Sequence, residues 1–178
     1  MKHSRPTGTP ETLWRGKYIE VKKLGSWEFV GRARGVSAAV ILAVDEEDHV
    51  LLVEQYRVPI AAWCLELPAG LVGDETEGEE AGIAAARELE EETGYRPERV
   101  VDLGRFYASP GMSSEGFTLL RAEGLTKVGE GGGVPGEDIV VHRVPLASLP
   151  AFVAERRAAG TQMDVKLLIL LGAGMLKG

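Results

Sequence analysis

The chain has 178 residues, 44% of them hydrophobic, and a formal net charge of −7. That length suits one domain with at most a small addition, and the apolar content supports an ordinary globular core, which excludes a disordered chain. The acidic balance argues against non-specific nucleic-acid binding through a basic face, yet a phosphorylated substrate stays compatible if divalent cations stand between its phosphates and the carboxylates.

In chain order, residues 1–10 read as a loose polar arm with no apolar signal core, and a cytoplasmic location is expected from this. Runs at 18–24 and 27–32, joined by Gly25-Ser26, predict a hairpin. The apolar run 36–44, a turn at 45–48 and the run 49–55 predict a second hairpin. Residues 62–78, with Pro68, Gly70, Gly73 and Gly78, read as a long loop. Ala81, Ala84, Ala85 and Leu89 recur at helical spacing and predict a helix over 81–93, closed by Gly94 and followed by Pro97. Strands are predicted at 100–108, 117–121 and 139–144, with a glycine-rich surface loop at 129–136. Helices at 149–159 and 164–176 complete the order, which suggests a mixed sheet with helices on both faces. The apolar run 167–171 is too short to span a bilayer, so no membrane association is expected. The single cysteine, Cys64, rules out an internal disulfide and a cysteine-based zinc site; its plain reading is a small packed residue beside Trp63.

The informative stretch is Arg87-Glu88-Leu89-Glu90-Glu91-Glu92-Thr93-Gly94. On a helix Glu88 lies three and four positions from Glu91 and Glu92, so the like charges share a face and repel. Alone, such a run reads first as a solvated charged face. The functional reading is a patch of hard oxygen ligands for Mg2+ or Mn2+, able to grip a pyrophosphate and activate a water. Around it stand Gly73, Glu79, Arg87, Glu88, Leu89, Glu91, Glu92, Gly94 and Tyr95, at the spacing of the Nudix signature. The chain thus resembles the Nudix hydrolases, with Tyr95 a mild departure at the last apolar position and Gly70 standing where close relatives carry the signature glycine. Gln55-Tyr56-Arg57, Glu66-Leu67-Pro68-Ala69-Gly70 and Ser109-Pro110-Gly111-Met112-Ser113-Ser114-Glu115 are similar to segments of ADP-ribose pyrophosphatases and related nucleotide-sugar hydrolases, over roughly residues 17–175.

The resemblance implies an α/β fold: a Nudix-type α/β/α sandwich with a mixed β-sheet over residues 36–178, plus a small N-terminal β-strand unit over 1–35 that serves a homodimer. It implies two or three Mg2+ (or Mn2+) ions on Glu88, Glu91, Glu92, the Ala69 carbonyl and Glu137. Glu79 and Arg87 would brace the loop onto the helix, with Glu90 facing solvent. Arg57 would face the phosphates, Glu66 and Glu115 would line the site, touching metal, water or the sugar end, or else serve as structural hydrogen-bonding residues, and Arg34 or Arg32 from the N-terminal unit would contact substrate. Glu137, in the loop before the last sheet strand, is the expected base, with Glu130 as fallback, and the nearby glycines fit a closing lid or a merely disordered loop alike. The implied activity is metal-dependent hydrolysis of ADP-ribose to AMP and ribose 5-phosphate. Open alternatives are another nucleotide sugar or dinucleotide, such as GDP-mannose, and an inactive nucleotide-sugar-sensing module.

Overall fold

The computed structural model describes residues 5–33, 36–73 and 80–175. The expected Gly25-Ser26 hairpin forms, and a preceding strand joins it. β1 (Glu11–Arg15), β2 (Ile19–Leu24) and β3 (Trp27–Arg32) make a three-stranded antiparallel sheet of their own. Its last strand is fastened to the chain at 112–114: the Val30 N–H donates to the Met112 carbonyl at 2.9 Å and the Ser114 N–H to the Val30 carbonyl at 2.8 Å.

The second predicted hairpin does not form as such. β4 (Ser37–Ala43) and β5 (His49–Arg57) flank the expected turn, where the Asp45 carboxylate accepts from the N–H groups of Glu47 and His49. Beyond a single bridge between Val44 and Val50 the two strands diverge into different sheets. The predicted loop 62–78 holds two strands, β6 (Ala62–Glu66) and β7 (Ala69–Val72), while Arg34, Gly35 and residues 74–79 lie outside the described residues. Proline and glycine misled the reading here. Pro68 sits between the two strands, where the chain passes from one sheet to the other, and its carbonyl accepts the Ile41 N–H at 2.8 Å.

α1 (Ala81–Thr93) leads into a short pairing of β8 (Tyr95–Arg96) with β11 (Thr126–Lys127). β9 (Arg99–Phe106), β10 (Phe117–Glu123), β12 (Val140–Pro145), α2 (Leu149–Ala158), β13 (Gln162–Met163) and α3 (Leu168–Met175) complete the chain. Two mixed four-stranded sheets result, in the orders β7-β4-β10-β9 and β12-β5-β6-β13. In the first, β4 and β10 run parallel; in the second, β6 and β13 do. The single mixed sheet read from sequence is therefore divided in two.

The run at 36–44 lacks alternation because both faces of β4 are buried. Ala39, Ile41 and Ala43 face one core with Leu51, Leu120, Ala122 and, from α1, Ala85 and Leu89. Val40 faces the other core with Val50, Leu52, Leu65, Leu119, and Leu149 and Val153 from α2. The sheets thus lie between α1 on one side and α2 with α3 on the other. No described helix is long and apolar enough to cross a membrane.

Candidate active site

The two sheets part where β5 and β6 leave β4 and β7, and the C-terminal half of α1 packs against β7 at that opening. A cleft of about 360 Å³ lies there, lined by Arg32, Gln55, Arg57, Ala69, Gly70, Leu71, Glu88, Glu92 and Glu137. Five residues expected at the site from sequence, Arg57, Ala69, Glu88, Glu92 and Glu137, therefore share one cavity, although they come from β5, β7, α1 and the loop before β12.

Glu92 continues the apolar stripe of α1 and is only 5% exposed. Its Oε2 accepts the Ala69 N–H at 3.1 Å. Burial pushes its carboxyl up to about 8; Glu88 and Glu137 add to the shift, while the Ala69 N–H and Arg57 oppose it. Glu88 lies against Gly70, where a methyl group would overlap its Cγ and Cδ, so glycine is required for the carboxylate to enter the cleft. Glu91 does not line the cleft: Arg87 donates through Nη1 to its Oε2 at 3.2 Å and pairs through Nη2 with Glu88 at 3.1 Å. Glu90 faces away and pairs with Arg96 through two hydrogen bonds of 2.8 Å. Glu79, the expected partner of Arg87, is outside the described residues, as is Arg34.

Two arginines also line the cleft, each bonded to a glutamate. Arg57 donates through Nε to Glu66 Oε1 at 2.5 Å and through Nη2 to Glu66 Oε2 at 2.8 Å. Glu66 is 4% exposed, and its bond is the chief reason the Arg57 guanidinium is held charged more firmly than usual. Arg32 donates through Nε to Glu115 Oε1 at 2.6 Å. Glu66 and Glu115 thus reach the cleft through their arginines and not with their own oxygens. Both geometries leave guanidinium N–H groups for a phosphate.

Sequence reasoning missed Gln55 and gave Arg32 only a passing place. Gln55 could have been found: it lies two residues from Arg57, on the same strand face. Arg32 had no local signal, because its position depends on how the N-terminal sheet docks on the loop at 112–114. Cys64 is buried, and burial first, then Glu66, pushes its thiol up to about 12; it is a packed, unreactive residue.

A set of carboxylates is the hard-oxygen chemistry of Mg2+ or Mn2+, and a carboxyl raised by burial first and then by its acidic neighbours gains from a nearby cation. Among the described residues no three His, Cys, Asp or Glu side chains are gathered to hold one ion alone.

The chain is thus an α/β/α sandwich in which glutamates of α1 and two arginines line one cleft between the sheets. The NUDIX domain family matches residues 33–160, and the chain belongs to that family. It is 39% identical over 126 residues to an ADP-ribose pyrophosphatase of Bacillus subtilis (67% of this chain, 66% of that protein). It is 33% identical over 151 residues to a GDP-mannose pyrophosphatase of Cronobacter sakazakii (82% and 76%). A methanol dehydrogenase activator of Bacillus methanolicus is 37% identical over 125 residues (70% and 66%). The matched segments span between about half and two thirds of the first such relatives, from 56% to 66% of their length. A solved structure described as an ADP compounds hydrolase shares the fold, with a TM-score of 0.66, 23% identity and 98% of both chains covered.

Proposed function

We propose that this chain hydrolyses the pyrophosphate bond of a nucleoside diphosphate sugar in a divalent-metal-dependent reaction, with ADP-ribose as the first substrate and AMP and ribose 5-phosphate as products. The observation that carries the reading is the cleft, which brings Glu88, Glu92 and Glu137 together with Arg32 and Arg57. An acidic protein can take an anionic diphosphate only if charge is balanced on both sides. The arginines balance one side, and cations on the glutamates balance the other.

Glu88, Glu92 and the Ala69 carbonyl would hold Mg2+ or Mn2+, with Glu91 joining by rotating away from Arg87. When bound, the ions polarise the phosphorus and lower the pKa of a coordinated water. Arg57, oriented by Glu66, and Arg32, oriented by Glu115, bind the diphosphate oxygens and take up charge that develops on them. Glu137 accepts the proton of the attacking water. The Ala69 N–H and Gly70 fix Glu92 and Glu88 in place for this work.

A guanine nucleotide sugar is the second reading, supported by the Cronobacter relative's match over 82% of this chain. The assembly we assign is a homodimer built on the N-terminal unit 1–35, whose sheet exposes Trp14, Tyr18, Ile19 and Trp27; a monomer in light scattering would refute it. The site of action we assign is the cytoplasm.

Phosphate release from a panel of nucleoside diphosphate sugars, through a coupled phosphatase, tests the reaction with Mg2+, Mn2+ and EDTA. ADP-ribose is expected to lead and EDTA to silence the rate. If no compound is cut under any metal, the site is a ligand sensor and not a hydrolase.

A further inference from the structure

α1 ends in a way that helix chemistry disfavours. Its last two turns carry Glu88, Glu90, Glu91 and Glu92, and no basic residue lies in the final turn. The macrodipole places partial negative charge at that end, where anions are unfavourable and four carbonyls lack helical partners. The chain between β11 and β12 supplies what is missing. Val128 and Gly129 donate their N–H groups to the Gly94 carbonyl at 2.8 and 3.1 Å, Gly132 to the Glu92 carbonyl at 2.8 Å, and Gly133 to the Glu91 carbonyl at 3.0 Å. The same chain then carries Glu137 into the cleft. A short turn fixes it, with its N–H on the Val134 carbonyl at 3.0 Å and its Oε2 accepting the Val134 N–H at 3.1 Å.

The glycines make this contact possible. Gly131 has a φ of +70°, and a Cβ there would lie 2.6 Å from the Glu92 carbonyl oxygen and closer still to the Thr93 backbone. A Cβ on Gly133, φ +80°, would lie 2.6 Å from Glu137 Oε2. Gly129 differs: its φ is not positive and a Cβ would meet only the Gly94 Cα, at 3.9 Å.

We propose that residues 129–133 are a backbone strap that seats Glu137 against the glutamates of α1, with Gly131 and Gly133 as its positioning residues. The glycines that suggest a loose lid from sequence are here the means of a close backbone dock. The strap hydrogen-bonds the backbone of Glu91 and Glu92, whose side chains are assigned to metal, so the proton acceptor is registered directly on the metal-binding helix. This rests on the reading of Glu137 as the proton acceptor.

The test is a mutant cycle of Gly131→Ala and Glu137→Gln, with Gly129→Ala as control and thermal melts on each protein. It is assayed with ADP-ribose at saturating Mg2+. Glu137→Gln is expected to lower kcat about 100-fold or more. Gly131→Ala should lower kcat about tenfold or more while KM stays within about twofold, because misplacing a reacting group costs turnover more than binding. Gly129→Ala should match wild type. The double variant should be no slower than Glu137→Gln alone, as for residues acting through one group. Multiplying effects, a KM rise at unchanged kcat, or wild-type turnover in Gly131→Ala beside a slow Glu137→Gln would overturn the strap alone. Wild-type turnover in Glu137→Gln would instead remove the proton-acceptor reading, and the strap's role with it. If Gly131→Ala fails to fold, Gly133→Ala, whose Cβ meets the flexible Glu137 side chain, enters the same cycle and is read the same way.

Discussion

Replacing Glu66 with glutamine separates the two roles that the sequence leaves open for it, contact with metal, water or sugar and a structural hydrogen bond. Glu66 is 4% exposed and spends both oxygens on Arg57, at 2.5 and 2.8 Å. Glutamine keeps one acceptor but turns an NH2 group toward a guanidinium donor, so one charge-assisted bond is lost and one becomes a clash of donors. Loss of a hydrogen bond to a charged group costs about 1.5–3 kcal/mol. The Arg57 side chain is 42% exposed, so water recovers part of this, and a net loss of about 1–2 kcal/mol remains. For a domain of this size the melting temperature should fall by about 2–8 °C. If the same loss of orientation weakens the grip on the diphosphate, kcat/KM for ADP-ribose falls about 5–30-fold. The assay pairs steady-state kinetics with a Mg2+ titration of the rate. The midpoint of metal activation should stay where it is. A shifted midpoint with unchanged kcat/KM at saturating metal would show that Glu66 contacts the ion, and the bracing geometry would not be its working role.

Three further outcomes follow from the same geometry. Glu92→Gln should abolish turnover and yet raise thermal stability in EDTA: the carboxyl titrates at its ordinary 4.5 when unfolded and at about 8 when folded, so folded protein binds more protons between those values. Wild-type stability in EDTA therefore falls as pH rises from about 4.5 to 8, and melts of the glutamine variant should lack that slope. Gly70→Ala should displace Glu88 and cut kcat/KM to about the level of Glu88→Gln, at a stability cost of about 1–3 kcal/mol for overpacking; near-wild-type kinetics would show that Glu88 is not needed where it lies. On the face of β5 opposite Gln55, Glu54 accepts from Arg156 at 2.6 Å, His142 at 2.9 Å and Thr161 at 2.9 Å. Burial raises its carboxyl, but these partners outweigh burial and hold it below the usual range, so its stabilisation is present above about 4.5 and is lost as pH falls through the folded value. Glu54→Gln should thus destabilise at pH 7 by about 1–3 kcal/mol and converge on wild type in acid; a constant gap across urea melts from pH 7 to 3 would refute this.

The sequence by itself determined the parts that are local. The 3.6-residue recurrence of Ala81, Ala84, Ala85 and Leu89 set α1, and signature spacing then placed Glu88 and Glu92 on one side of it, because a helix converts spacing into direction without outside help. Gly25-Ser26 set the first hairpin for the same reason. Partnership between distant strands was not legible. An apolar run such as β4 states that both faces are buried, but not that β7 and β10, and not β5, lie beside it. Proline and glycine at 68–73 read as loop, whereas the structure uses Pro68 to change sheets and Gly70 to admit a side chain. Only the tertiary structure put Arg32 and Arg57 in one cleft, bonded each to a glutamate, and laid the glycines of 129–133 on the end of α1. Those arrangements join residues tens of positions apart, such as Arg32 with Glu115, and long-range pairing is decided by how whole elements pack, not by the identity of neighbours in the chain.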